Sequence, residues 1–389
     1  MSETREYDVI VVGAGPAGLM ASRKAAEAGA STLLLERENS LGRKPCGEAV
    51  SVSTLEDAGV KGRKFIRNRV EIFRVHAPDE GKYVDILSRK LGTAGFVIEK
   101  GLFLKELAHL AARKGVEIRM GSSVVDLKKV GEGWEVLVKR GVERKKLRGK
   151  IVIGCDGVNS VVAGRALGVK KPEVIPCFQY KMVNCGVEDP HTLEVYLGRE
   201  VAPGGYVWLF PKDEWEANVG IGVRGAPAKP YLDRFLSSHP ELFGKAGVVE
   251  VGAAPVPVGG EIEKVVGEGV MVCGDAGGQV IPLTGGGIHS SVVAGKVAGE
   301  VAGKAVGGEV GLEEYPRRYA EWSERISRSL KVLRLIEGLS DKELNQLAEI
   351  LTGQDVVDLA NGTNLKRVGR KLLRHPHFAL HLARGLLGG

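Results

Sequence analysis

A chain of 389 residues has room for two interleaved domains and an appendage around a sizeable core. Hydrophobic residues at 43% and charged residues at 26% exclude a disordered chain, and no apolar run reaches the roughly 18 residues that a membrane span needs. The net charge of +7 is spread along the sequence and aromatic residues are only 5%, too few for a stacking platform, so an anionic lipid surface or a phosphate-bearing ligand is expected and nucleic acid is not. The five cysteines, Cys46, Cys155, Cys177, Cys185 and Cys273, form no CxxC pair, which argues against zinc and against a thioredoxin-like site, and their odd number argues against a simple disulfide framework. The polar opening MSETREYDV lacks the apolar stretch of a secretory signal, so a cytoplasmic location is expected.

In chain order, Val9 to Val12, GAGPAG, an Ala-rich segment and Thr32 to Leu35 predict a strand, turn, helix and strand. Alternation from about Val70 to Ile86, around Asp79-Glu80-Gly81, predicts a hairpin interrupting this α/β part. Leu102 to Lys114 is expected to be helical and Val116 to Met120 a strand. Val124 to Arg148 reads as a three-stranded meander, followed by a separate buried strand at Ile151 to Gly154. Residues 171–262 are strand-rich and punctuated by Pro and Gly, as in a second, largely antiparallel domain. Val270 to Cys273 returns to the first domain and precedes a helix to about Val306. Beyond Gly311 the apolar spacing is helical.

Gly13, Gly15 and Gly18 form a GxGxxG between a strand and a helix, where missing side chains let a pyrophosphate approach amides at the positive helix end. Glu36 ends the next strand, placed to accept hydrogen bonds from ribose hydroxyls and to repel a 2′-phosphate. Two more turns follow buried strands. One is Cys155-Asp156-Gly157-Val158-Asn159-Ser160; the other is Gly274-Asp275-Ala276, with Pro282 and Gly285-Gly286-Gly287 behind it. A lone Asp after a strand is as often a turn former or helix cap, but three such elements in this order point to one cofactor. The Asp156 turn resembles the DG fingerprint of flavoprotein hydroxylases and their relatives. That resemblance implies FAD, with Asp275 on the ribityl chain and the glycines bringing a helix N-terminus to the flavin pyrimidine. With no second GxGxxG, a nicotinamide domain is not expected, and ferredoxin, reduced flavin or NAD(P)H are the candidate external donors.

These features leave a hydroxylase, a halogenase or a reductase open. Two stretches narrow the choice. Pro203-Gly204-Gly205-Tyr206-Val207-Trp208-Leu209-Phe210-Pro211 matches the PxxYxWxFP pattern of geranylgeranyl reductases, and Arg43-Lys44-Pro45-Cys46-Gly47-Glu48 resembles their KPCGG-like loop. The chain is similar to that family from its start to about residue 306. The resemblance implies an α/β fold: a Rossmann-like FAD-binding domain of the p-hydroxybenzoate hydroxylase type, an interleaved antiparallel β-sheet substrate domain, and a C-terminal helical region. The boundaries expected are 1–170 for the first part of the FAD domain, with a hairpin at about 65–98 joining the substrate domain, then 171–262, a return at 263–306, and helices over 307–389.

The activity implied is saturation of geranylgeranyl double bonds, on an archaeal ether-lipid precursor such as digeranylgeranylglycerophospholipid. An aromatic or polyketide monooxygenase, a halogenase, and a prenyl-lipid-binding flavoprotein without turnover remain the alternatives. Strand alternation puts Tyr206, Trp208 and Phe210 on one sheet face, able to wall an isoprenoid channel. With Cys46 they are the residues expected to act on substrate. The cofactor set is Gly13, Gly15, Pro16, Ala17, Gly18, Glu36, Arg37, Cys46, Gly47, Lys100, Val124, Asp156, Gly274, Asp275, Pro282, Gly286, Gly287 and Ile288. Lys100 stands where relatives carry an Arg, and Glu48 where they carry a second glycine. His289 is a candidate proton source whose plainer role is helix capping. The basic tail, with Lys366, Arg367, Arg370, Lys371, Arg374 and Arg384 among leucines, either rests on an anionic bilayer as a peripheral contact or covers the domain as a solvated helix.

Overall fold

The computed structural model describes residues 6–91, 95–375 and Phe378. Glu6–Val12 is the centre of an eight-stranded sheet, and its Val9, Ile10 and Val11 are fully buried, as a parallel strand covered on both faces requires. Around it lie four more parallel strands, giving the order Val270–Val272, Glu143–Gly154, Glu6–Val12, Thr32–Leu35, Glu117–Arg119. Register sets Val12 level with Leu35 on one side and Gly154 on the other, and Gly154 level with Val272. The three turns singled out in the sequence therefore leave the sheet side by side at the carboxyl ends of its strands, where open α/β sheets bind ligands.

Two helices fix that edge from one face. Pro16–Glu27 and Ile288–Val306 touch through glycines spaced by four. A Cβ on Gly295 would lie 2.1 Å from the Ala17 carbonyl oxygen, one on Gly299 2.2 Å from that of Ala21, and one on Gly303 2.4 Å from the Ala28 Cβ. Contact positions rise together along both helices, so the two run parallel and start at the same sheet edge.

The meander differs from expectation. After Ser123–Val130 and Gly133–Arg140, the strand Glu143–Gly154 is continuous for 12 residues: its charged first half pairs with Gly133–Arg140 and its apolar second half enters the sheet beside Glu6–Val12. The abrupt change of burial, not a break in the chain, made it read as two strands.

A second sheet has seven strands, in the order Gly247–Pro257, Val174–Val183, Glu216–Gly222, Tyr206–Pro211, Thr192–Tyr196, Ile72–His76, Tyr83–Leu87. Every pair is antiparallel except Thr192–Tyr196 with Ile72–His76. Only the inner part of the 65–98 excursion joins it. Ile66–Val70 and Gly95–Ile98 instead form a small sheet with Ala49–Ser51, because Asn68 is drawn to the carbonyls of Pro190 and Pro211 and Val70, Val97 and Leu193 make their own core. The helix Ala228–Ser238, hidden in the sequence among Pro and Gly, covers the outer face with Leu232 and Phe235.

The C-terminal helices Ala320–Glu337, Asp341–Ile350, Gly353–Asn361 and Leu365–Leu372 follow, with capping boxes at Ser340 and Thr352. The described basic tail is a short helix, and part of its charge turns inward: Arg367 pairs with Asp355 at 2.7 Å and Asp358 at 2.8 Å, and Lys371 with Asp355 at 2.7 Å. Lys366, Arg370 and Arg374 are exposed, and Arg384 lies outside the described residues. Among the described residues no helix is long and apolar enough to cross a membrane.

Burial opposes charge on Asp355, but Lys371 and the Thr352 cap outweigh it and hold its carboxyl at about 2. A depressed folded-state value adds stability above the ordinary carboxylate range and loses it as pH falls through the folded value. Unfolding of the C-terminal helices, followed by proteolysis or hydrogen exchange, should therefore set in between about pH 4 and pH 2, and Asp355→Asn should weaken them by about 3 kcal/mol at neutral pH.

Candidate flavin and substrate site

At the first turn, the glycines have separable roles. Gly13 has a φ of +98°, and a Cβ there would lie 2.3 Å from the Cys155 carbonyl oxygen; one on Gly18 would lie 1.8 Å from the Gly13 oxygen. Both are required by the packing of the chain on itself. Around Gly15, by contrast, no described atom beyond its own chain neighbours lies within 4 Å of such a Cβ, so its open side is free for a ligand. Gly15 caps Pro16–Glu27 without a side-chain hydrogen bond, Pro16 opens the helix, and Ala17 is buried beside Gly274 and Gly295. The first-turn amides thus face the sheet edge unspent. Glu36 accepts the Ala14 N–H at 2.6 Å and the Glu38 N–H at 2.8 Å, which fixes its carboxylate beside the glycine turn. Arg37 is exposed and pairs with Glu38 at 3.4 Å.

The second turn is self-contained. Asp156 accepts the Ser160 hydroxyl at 2.5 Å and the Val161 N–H at 2.7 Å, so its carboxylate caps its own loop while its backbone packs on Gly13. The Cys155 thiol is raised by its hydrogen bond to Cys273 and by burial, which keeps it protonated. Val124 is a core residue of the Ser123–Val130 strand.

At the third turn Gly274 adopts a φ of +65°, and Asp275 Oδ1 lies 3.6 Å from where a Cβ of Gly287 would stand. Asp275 is therefore at the start of Ile288–Val306, which Gly287 caps without a side chain. The loop between them is closed by a bridge from Ile281 to Gly286 around Pro282. His289 is turned away: it bonds Asp57 at 2.9 Å and its ring rests edge-on against Trp322.

The loop 43–48 joins these parts. Lys44 pairs with Asp275, and burial, which disfavours its charge, is outweighed by that partner, so its pKa is raised. Lys100 is buried, and its ammonium donates to the Lys44 carbonyl, supporting the loop from beneath. The Cys46 thiol accepts the Glu48 N–H at 3.3 Å. Gly47 lies under the Phe210 ring, 2.7 Å from where its Cβ would be. Tyr206, Trp208 and Phe210 share the face that meets this loop. Tyr206 donates its hydroxyl to the Thr284 carbonyl at 2.5 Å, and burial raises its pKa so that it remains a donor. Trp208 lies across Gly220, donating to Gln179 at 3.3 Å, and Phe210 packs edge-on against Phe73. Cys177, opposite Gly222 on the same face, is pushed up to about 12 by burial.

Sequence reasoning marked Glu48 as a departure but gave it no role in the site. It holds a φ of +68°, yet its buried carboxylate accepts the Lys100 N–H at 2.9 Å and the Asn218 amide at 2.9 Å and pairs with Lys212 at 2.7 Å. Its departure from the glycine of related loops was the available signal.

Two helix starts without side-chain caps, an open glycine, a ribose-ready carboxylate and Asp275 fit FAD: its diphosphate would meet Gly15 and Pro16, and its flavin end the Asp275–Gly287 region. Fold and site together define an FAD-binding flavoprotein. The family model described as an FAD binding domain matches residues 6–213, and that of the geranylgeranyl reductase catalytic domain matches residues 173–256. A digeranylgeranylglycerophospholipid reductase of Methanocaldococcus jannaschii is 38% identical, the match covering 94% of this chain and 95% of that one. The chain belongs to the geranylgeranyl reductase family. Its structure is similar to the crystal structure of a geranylgeranyl bacteriochlorophyll reductase-like protein from Thermoplasma acidophilum, with a TM-score of 0.85 at 31% identity, covering 98% of this chain and 99% of that chain. A flavin-dependent brominase, at TM-score 0.74 and 19% identity, covering 92% of this chain and 94% of that one, shares the fold.

The glycine roles can be separated by experiment. Gly15→Ala should fold with a melting temperature near the parent's yet retain FAD at least about tenfold more weakly, as one methyl group displaces the close approach of phosphate. Gly18→Ala should lower the melting temperature even without cofactor, because its methyl meets backbone. Thermal melts and flavin absorbance after gel filtration check both.

Proposed function

We propose that the protein is an FAD-dependent reductase that saturates the double bonds of geranylgeranyl chains on a digeranylgeranylglycerophospholipid. The observation that carries this reading is the attachment of the aromatic strand to both flavin loops: Tyr206 bonds Thr284 at one end and Phe210 covers Gly47 at the other. FAD, when bound and reduced, supplies a hydride. The chain's own part is to hold an apolar chain flat against that strand, exclude water, and keep protons available. Tyr206 and Cys177 stay protonated through burial and Lys44 through Asp275, so three proton-bearing groups line this region at neutral pH. Cys46, fixed between Lys44 and Gly47, is proposed to orient the substrate.

The electrons are proposed to come from outside the chain, from ferredoxin, reduced flavin or NAD(P)H, as the sequence holds one dinucleotide fingerprint. Exposed Lys366, Arg370 and Arg374 support a peripheral contact with an anionic lipid surface from the cytoplasm. The two-domain division is supported by the separate sheets.

Anaerobic incubation of the reduced protein with the unsaturated phospholipid, followed by mass spectrometry, should show masses rising in two-hydrogen steps. Addition of oxygen to the lipid or to an aromatic compound would instead favour a monooxygenase. Tyr206→Phe, which deletes the bond to Thr284, should lower turnover about fivefold, equivalent to about 1 kcal/mol.

A further inference from the structure

We propose that Glu48 is a positioning residue for Cys46 and the turn 44–48, tying that turn to the substrate sheet and to the helix Lys100–Ala112 through its buried carboxylate. The proposal rests on the reductase reading above. Glu48 holds a φ of +68°, the left-handed conformation that suits glycine. A charged residue in that conformation and only 5% exposed needs partners, and it has them on three elements. Oε1 accepts the Lys100 N–H at the start of its helix. Oε2 accepts the Asn218 amide at 2.9 Å and meets the Lys212 ammonium at 2.7 Å.

Lys212 is fully buried, and Glu99 at 2.6 Å and Glu216 at 3.6 Å complete its surroundings. Burial opposes its charge, but Glu48 and Glu99 outweigh burial and raise its pKa, so the Lys212 ammonium stays charged across the physiological range. Asn218 has its orientation dictated: its Nδ2 donates to both the Gly47 carbonyl and Glu48, and a flipped amide would set oxygen against oxygen. The same residue therefore grips Gly47 from the sheet while the Glu48 N–H reaches the Cys46 sulfur. Cys46 is two residues along the chain from an anchor whose other end is in the substrate sheet.

The test uses the full-length chain, with and without FAD. Glu48→Gly relieves the backbone and leaves Lys212 with Glu99 and Glu216, so the chain should fold. In the FAD-free protein, Cys46 alkylation by iodoacetamide, read by peptide mass spectrometry, should quicken about tenfold as the turn loosens. In the FAD-loaded protein, lipid turnover should fall about tenfold with KM within about twofold, as expected for lost positioning. Glu48→Gln, which keeps an acceptor for Lys100, should lie between. Parental alkylation and turnover in Glu48→Gly would overturn the proposal, and so would loss of its cooperative thermal transition, which would make the role architectural. A parent enzyme that alkylates slowly but leaves the lipid unsaturated would count against the function and not against the anchor.

Discussion

The backbone contact between Pro16–Glu27 and Ile288–Val306 is the constraint on which the site depends. Glycines at 295, 299 and 303 let the two helices approach until carbonyls of one fill the space where side chains of the other would be. Because they run parallel, their N-termini come to the same sheet edge, each capped by a glycine that offers no side-chain acceptor. Two like-signed helix ends held together repel, and each gains about 0.3–1 kcal/mol from a neighbouring negative charge. A ligand with negative charge at both ends of its central part removes the conflict at both starts at once. The diphosphate and the electron-rich pyrimidine of a reduced flavin satisfy that condition, so the packing of two helices already selects the class of cofactor.

The second sheet has to meet this edge at a set distance, and polar contacts with aromatic packing fix it. Tyr206 reaches the Thr284 loop, Pro45 lies against Gly252, and Asn218 holds Gly47. Behind them Lys212 is shared by Glu48 and Glu99. Removing one partner of a buried pair typically costs about 3–5 kcal/mol, several times the worth of an exposed pair, so this cluster outweighs the surface ion pairs in fixing the two sheets together. Its charges come from the loop after the second strand, the residue before a helix, and the end of the aromatic strand. None of these segments is adjacent in sequence.

That separation explains what could be read from the chain beforehand. The glycine fingerprint, Glu36 and the buried apolar strands have local signatures, since each reflects a backbone rule acting over a few residues. The alternating Tyr206, Trp208 and Phe210 likewise announced a common face. Lys100 and Asp156 were legible as positions but not in their protein partners: the ammonium of Lys100 supports a loop carbonyl, and Asp156 caps its own turn. Those roles depend on which groups lie opposite, and only register decides that. The four-residue spacing of Gly295, Gly299 and Gly303 was visible, but its meaning required a second helix to fill the groove. The continuous strand Glu143–Gly154 misled for the opposite reason, as one element spans two environments.

The same architecture serves a brominase, so the parts shared with it cannot determine the chemistry. What differs must lie where the sheet face meets the flavin loops. Here that face carries flat rings, two glycines opposite them, and a thiol kept protonated by burial, while Lys212 pairs with Glu48 and Lys44 pairs with Asp275. An unactivated alkene offers no polar handle, so selectivity for it must come from apolar shape and from keeping the charges along its path paired. Pairing Lys212 with Glu48 and Glu99, and Lys44 with Asp275, neutralises these charges while their attraction holds the loop in place.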